Sequence, residues 1–205
     1  MSLLRCLHDP PAPPGDPPTV SVVVPTCDGG PRLLTLLDAV HSQGPGPVDA
    51  ILADSQSTDG SIDEARRRWP GLRVYTVDRA RFDHGRVRSE AVGLARSELV
   101  ALFSQDAVPL GAGYLRAIAA AFDDPTVAGA MARQVPRPGA DPGIRGALLR
   151  WTPPASSIQV RGPSTSADPR ERMAAARFDN VGSMVRRSVV RAIPFPPRPF
   201  GEDIA

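Results

Sequence analysis

The sequence predicts an α/β protein: a single domain on a mostly parallel central sheet with helices on both faces. Three observations predict it. Short apolar runs rich in β-branched residues alternate with helix-period segments from residue 19 to residue 106. The runs are apolar throughout, as strands covered on both faces are. Each run closes on a polar loop, and Asp28, Asp54 and Asp106 fall at or just past such ends.

The elements follow in order. "TVSVVVP" is a β-branched run closed by Pro25 and reads as the first strand. "TCDGG" is a loop, and "PRLLTLLDAVHSQ" a helix with Pro31 suited to its first turn. Leu33, Leu34, Leu37 and Val40 share one face of it. "VDAILADS" is a second strand. "STDGSIDEARRRW" reads as capping residues and a helix, which Pro70-Gly71 ends. "LRVYTVD", "GRVRSEAVGLARS" and "ELVALFSQD" continue as strand, helix and strand.

The second half is less regular. "GAGYLRAIAAAFDD" predicts a helix with Tyr114, Leu115, Ile118 and Phe122 inward, and "TVAGAMARQV" a strand. Residues 136–170 read mostly as loop, with a short helix at "GIRGALLRW". "RFDNVGSMVRRSVVRAI" reads as a strand running into a helix. Residues 1–18, ending in "DPPAPPGDPP", read as a disordered or extended leader, so the fold is expected to begin at Thr19.

Right-handed crossovers place the carboxyl ends of parallel strands on one edge, where ligands of open α/β sheets bind. The strand-end aspartates are therefore expected at a binding edge.

Composition narrows the classes. The 205 residues carry a net charge of +2 and are 41% hydrophobic, enough for one core and no pull toward nucleic acid. All 24 basic residues are arginine. That fits a GC-rich coding bias, and it equally fits phosphate recognition by planar guanidinium forks. Cys6 and Cys27 are the only cysteines, too few for a disulfide framework or zinc site. With no span-length apolar run and no signal-peptide core, the sequence reads as cytoplasmic, which leaves peripheral docking on a membrane open.

Six segments taken together carry a resemblance: "VSVVVPTCDGG", "ILADSQSTDGS", "FDHGRVRSEAVGLARSE", "ALFSQDAVP", "FDNVGSMVRRSV" and "FGEDIA". In this order and spacing the chain resembles the family 2 glycosyltransferases of the GT-A fold, a Rossmann-like architecture, and most of all their rhamnosyltransferase-like branch. The resemblance implies an inverting transfer of a sugar, possibly rhamnose from dTDP-rhamnose, from a nucleotide-sugar donor to a glycan or lipid-linked acceptor hydroxyl. It divides the domain into a nucleotide-binding half, 19–110, and an acceptor half, 111–205.

The resemblance also assigns roles. Pro25, Thr26 and Asp28 would line the nucleoside, and Asp54 would accept a hydrogen bond from base or ribose. Asp28 with Gly29 and Gly30 equally fits a plain turn. Ser57, Thr58 and Asp59 read as helix caps. Gly85, Arg86 and Arg88 would meet the phosphates, where close backbone approach, a helix amino end and a guanidinium fork favour anions. His84 also fits a hydrogen-bonded loop residue.

The family's Asp-x-Asp is Ser104-Gln105-Asp106 here. Ser104 and Gln105 would face the donor, and Asp106 would ligate a divalent cation, Mg2+ or Mn2+, on the diphosphate. Asn180 and Ser183 would hold the donor sugar, or simply close the sheet. Arg186 and Arg187 read as surface or capping residues. Asp203 would be the general base, with Glu202 supporting it.

The chain ends two residues after Asp203, so the sequence reads as a domain cut short in its acceptor half. That keeps a second class in view, a nucleotide-sugar binding module that is inactive or completed by a partner. A sugar nucleotidyltransferase would need a glycine-rich loop with Arg and Lys after the first strand, which "PTCDGG" lacks.

Overall fold

A computed structural model describes residues 2–12, 15, 18–44, 48–152, 162, 165–175 and 178–197. Its strands are β1 (Arg5–His8), β2 (Val20–Thr26), β3 (Asp49–Asp54), β4 (Arg73–Thr76), β5 (Leu99–Leu102), β6 (Gly129–Met131) and β7 (Ser183–Arg186). Its helices are α1 (Gly30–His41), α2 (Ser61–Arg68), α3 (His84–Leu94), α4 (Tyr114–Ala119), α5 (Pro142–Trp151), α6 (Pro169–Ala175) and α7 (Arg187–Ala192). A 3-10 turn at Arg79–Arg81 precedes α3, and another at Ala120–Asp123 extends α4.

The strands form one sheet in the order β1-β4-β3-β2-β5-β7-β6. The central four, β4-β3-β2-β5, are parallel, as the unbroken apolar runs predict. The flanking strands pair antiparallel, β1 with β4, β7 with β5, and β6 with β7. The chain moves from β2 through β3 to β4 on one side, then returns to lay β5 on the other side of β2. This reversal makes a switch point between the carboxyl ends of β2 and β5.

Strand alternation divides the core in two. Val22, Val24, Leu52 and Phe103 pack with Leu33, Leu36 and Leu37 of α1, Ile62 of α2 and Ile118 of α4. Val23, Ile51, Val100 and Leu102 pack on the other face with Val87, Ala91 and Val92 of α3 and Val190 of α7. The inward face of α1 is Leu33, Leu36, Leu37 and Val40, so Leu36 takes the place expected for Leu34, which is only half-buried. On α4 and the turn after it, Leu115, Ile118 and Phe122 are buried as expected, with Tyr114 partly so.

The amino-terminal segment corrects the expectation that the fold begins at Thr19. Arg5–His8 is an edge strand, and Leu3 and Leu4 are buried against the α3 face. Glu90 of α3 accepts from Ser2 Oγ and from the backbone N–H groups of Leu3 and Leu4, at 2.7, 2.7 and 3.2 Å. A four-residue edge strand has too short a pattern to announce itself, and tertiary contacts hold it. The helix α6 begins in the last two residues of the stretch 136–170, which reads mostly as loop. Arg186 and Arg187 do act as caps: they donate to the carbonyls of Phe122, Asp124 and Val127, and of Ala95.

Candidate active site

The site grows from three loops at the carboxyl ends of β2, β3 and β5. Gln105, just past β5, ties the switch point shut. Its Oε1 accepts from Thr26 Oγ1 (2.7 Å) and the Cys27 N–H (2.8 Å), and its Nε2 donates to the Cys27 carbonyl (3.2 Å). Gly29 lies beneath this tie. A Cβ there would stand 2.8 Å from Leu33 Cβ and 3.2 Å from Gln105 Oε1, so only glycine fits without moving the loop.

The loops after β2 and β3 interlock. Asp28 Oδ1 accepts from the Thr58 N–H (2.7 Å), and Asp59 Oδ2 from the Gly30 N–H (2.7 Å). The Asp28 N–H donates to Ser57 Oγ at 2.8 Å. Ser57 and Thr58 are thus chiefly loop cross-ties, a correction to their reading as helix caps, whereas Asp59 does both, since its Oδ1 also accepts from the Ser61 N–H that opens α2 at 3.0 Å. The N-cap of α2 is Gly60, at φ +79° and without a side-chain cap.

Charge follows geometry. The Thr58 N–H and then the Arg79 guanidinium hold the Asp28 carboxyl below the usual aspartate range. Asp54 is 5% exposed and shifts upward, because burial outweighs the bonds it accepts from Ser57. Ser57 Oγ stands 2.5 Å from Asp54 Oδ1.

On the third side, Asp83 caps α3 by accepting from the Arg86 N–H at 2.8 Å. The side chain of Arg88, one turn further on, is buried at 6% exposure. Arg88 Nη1 lies 3.4 Å from His84 Nδ1. A guanidinium only donates, so that contact makes Nδ1 the acceptor. The His84 ring meets Phe82 edge-on, with centroids 4.7 Å apart.

These groups surround a cleft of about 330 Å³ lined by Pro25, Thr26, Cys27, Ser55, Arg79, Phe82, His84, Arg88, Ser104 and Gln105. Five expected residues, Pro25, Thr26, Arg88, Ser104 and Gln105, therefore line one cavity. Asp28 reaches its wall through Arg79, and Asp54 lies outside the lining, bonded to Ser57. Gly85 is buried in the first turn of α3, and Arg86 is exposed, outside the lining. Asn180 and Ser183 are enclosed, at 1% and 0% exposure, and neither lines the cleft. Glu202 and Asp203 lie outside the described residues.

Arg79, Cys27, Ser55 and Phe82 line the cleft without having been singled out. An arginine in a turn carries no sequence signal in a chain whose 24 basic residues are all arginine.

Asp106 is exposed, and Arg137 Nη2 approaches its carboxylate at 3.9 Å. Among the described residues no three His, Cys, Asp or Glu side chains cluster as a ready cation cage. One open carboxylate suits a hard cation that takes its remaining ligands from phosphate oxygens and water.

Among the described residues no helix is long and apolar enough to cross a membrane. Comparison with solved structures finds the same fold. A mannosyltransferase from Pyrobaculum calidifontis, determined with GDP-Man and Mn2+, superposes with TM-score 0.59 and 23% identity, over 89% of this chain and 49% of that one. Residues 1–349 of S. aureus TarS superpose with TM-score 0.62 and 18% identity, over 90% and 52%. These are glycosyltransferases of the GT-A fold.

Two curated relatives are O-antigen chain rhamnosyltransferases. RfbN of Salmonella typhimurium is 28% identical over 124 residues, and WbaN of Salmonella anatum 31% identical over 127. Those matches take in 60% and 61% of this chain but 39% and 40% of the relatives' length. The sequence profile of glycosyl transferase family 2 matches residues 21–193, nearly the whole described fold, and the chain belongs to that family.

Proposed function

We propose that this chain forms the donor-binding and catalytic part of an inverting glycosyltransferase working in the cytoplasm, where it can dock on the inner face of the membrane. It moves a sugar, rhamnose by its likeness to the two Salmonella rhamnosyltransferases, from a nucleotide-sugar donor to a hydroxyl of a glycan or lipid-linked acceptor. One observation carries the reading: the loops after β2, β3 and β5 and the start of α3 meet around a single cleft at the sheet's switch point.

The nucleoside would lie against Pro25, Thr26 and the Asp28–Arg79 wall. Arg88, at the buried end of the cleft, would face the diphosphate. Asp106 would hold a divalent cation, Mg2+ or Mn2+, whose charge offsets that of the diphosphate. Asp203, with Glu202 beside it, would take the acceptor proton. As the acceptor oxygen bonds to the anomeric carbon, the bond from that carbon to the diphosphate oxygen breaks and the configuration inverts.

Titration of a panel of nucleotide sugars tests this reading. One donor should bind clearly better than the rest. Its affinity should rise about tenfold or more with Mg2+ or Mn2+, since the cation neutralises phosphate charge beside a carboxylate. Asp106→Asn should remove the increment and leave metal-free affinity unchanged. Equal affinity with and without metal would exclude the cation role. Binding with neither transfer nor donor hydrolysis would favour a binding module.

A further inference from the structure

Among the described residues, two outside glycine have positive φ: Asp28 at +47° and Gln56 at +56°. They lie in different loops, after β2 and after β3. Left-handed backbone at a non-glycine residue costs free energy and persists where surrounding contacts enforce it.

One side chain touches both. Arg79 Nη2 donates to Asp28 Oδ2 at 2.8 Å and to the Gln56 carbonyl at 3.2 Å. Its Nε donates to the Ser55 carbonyl at 3.2 Å. Its own N–H donates to Gln56 Oε1, again at 3.2 Å. Arg79 is presented by the short 3-10 turn after β4, which Asp78 caps by accepting from the Ala80 N–H at 2.9 Å. The same guanidinium lines the cleft.

We infer that Arg79 is a positioning residue for the nucleotide: it staples the two strained loops into the wall of the donor pocket and offsets the carboxylates behind them. The inference rests on the donor-site reading above. Two physical facts carry it. Only a planar fork serves a carboxylate and two carbonyls from one position, and lysine cannot reproduce it. Asp28, Asp54 and Asp59 all lie around these loops, and a nucleotide sugar arrives with a negatively charged diphosphate. Without Arg79 the pocket would present carboxylates uncompensated and two loops free to relax.

The side chain is 53% exposed, so its removal should leave the fold intact. The test compares donor affinity in wild type, Arg79→Ala, Arg79→Lys, Asp28→Asn and the Arg79→Ala/Asp28→Asn double variant, using the best-binding nucleotide sugar of the panel. Arg79→Ala should weaken binding about tenfold, the loss expected of hydrogen bonds to a charged group. Arg79→Lys, which keeps charge but not the fork, should recover only part of that loss. The double variant should be no weaker than Arg79→Ala alone, because Asp28 acts with Arg79 as one unit.

Thermal midpoints should agree among the variants within a few degrees, which separates positioning from global stability. Arg79→Ala binding within twofold of wild type would overturn the inference, as would losses that add fully in the double variant. A wild-type protein that binds no nucleotide sugar would overturn the donor-site reading and this inference with it.

Discussion

Arg73→Ala should lower the unfolding free energy by about 3–5 kcal/mol, the cost of leaving one partner of a buried ion pair uncompensated. Side-chain exposure is 6% for Arg73 and 1% for Asp49. Arg73 Nη1 reaches Asp49 at 3.1 Å and the Leu94 carbonyl, at the end of α3, at 2.9 Å. Its Nε reaches Asp9 at 2.7 Å, and its Nη2 reaches Tyr75 Oη at 3.0 Å. Asp49 also accepts from Ser21 Oγ at 2.6 Å and the Arg96 N–H at 2.9 Å. One guanidinium thus joins β4 and β3 to α3 and to the segment after β1.

Urea unfolding at neutral pH measures the effect, and a loss below about 1 kcal/mol would make the network a bystander. The pH dependence has a definite sign. The bond from Arg73 holds the Asp9 carboxyl below its ordinary value near 3.8. A depressed carboxyl contributes stability that is present above the unfolded value and is lost as pH falls through the folded one. Wild type should therefore shed this contribution below about pH 4, and Arg73→Ala should show a flatter acid limb.

That network also explains which parts of the fold could be read from sequence. The strands β2, β3 and β5 declare themselves because β-branched apolar runs buried on both faces leave a local pattern. The segment 2–12 does not. Its strand is four residues long, its prolines argue for a leader, and its anchors, Glu90 and Arg73, lie far along the chain.

The candidate site divides in the same way. Asp28, Asp54 and Asp106 are visible because each falls at or just past the carboxyl end of an apolar run, the edge of a parallel sheet where ligands bind. Ser57 and Thr58 mislead, because short polar side chains serve equally as helix caps and as ties between loops. Arg88 shows no outward sign of burial, and nothing local distinguishes Arg79 from any other turn arginine. Arg88 is marked by the family motif at the start of α3, but its burial, like the role of Arg79, becomes visible only when three strand ends are brought together.

Replacing Asp203 with asparagine should reduce sugar transfer about 10²- to 10⁴-fold, the usual contribution of a positioned general base. Donor affinity should stay within about twofold, because the amide keeps the size of the carboxylate and the role proposed for Asp203 is to take the acceptor's proton rather than to bind the nucleotide. Glu202→Gln should cost less, about tenfold, since a neighbour only adjusts proton affinity. The pH profile adds an independent check. A base must be deprotonated to accept a proton, so the wild-type rate should fall toward acid, and Asp203→Asn should lose that limb. Transfer at the wild-type rate in Asp203→Asn would remove Asp203 from the role. A parallel collapse of donor affinity would move it to the binding pocket instead. A general base is needed only as the acceptor oxygen attacks, so its loss separates turnover from binding, whereas disruption of Asp28, Arg79 or Arg88 should move binding first.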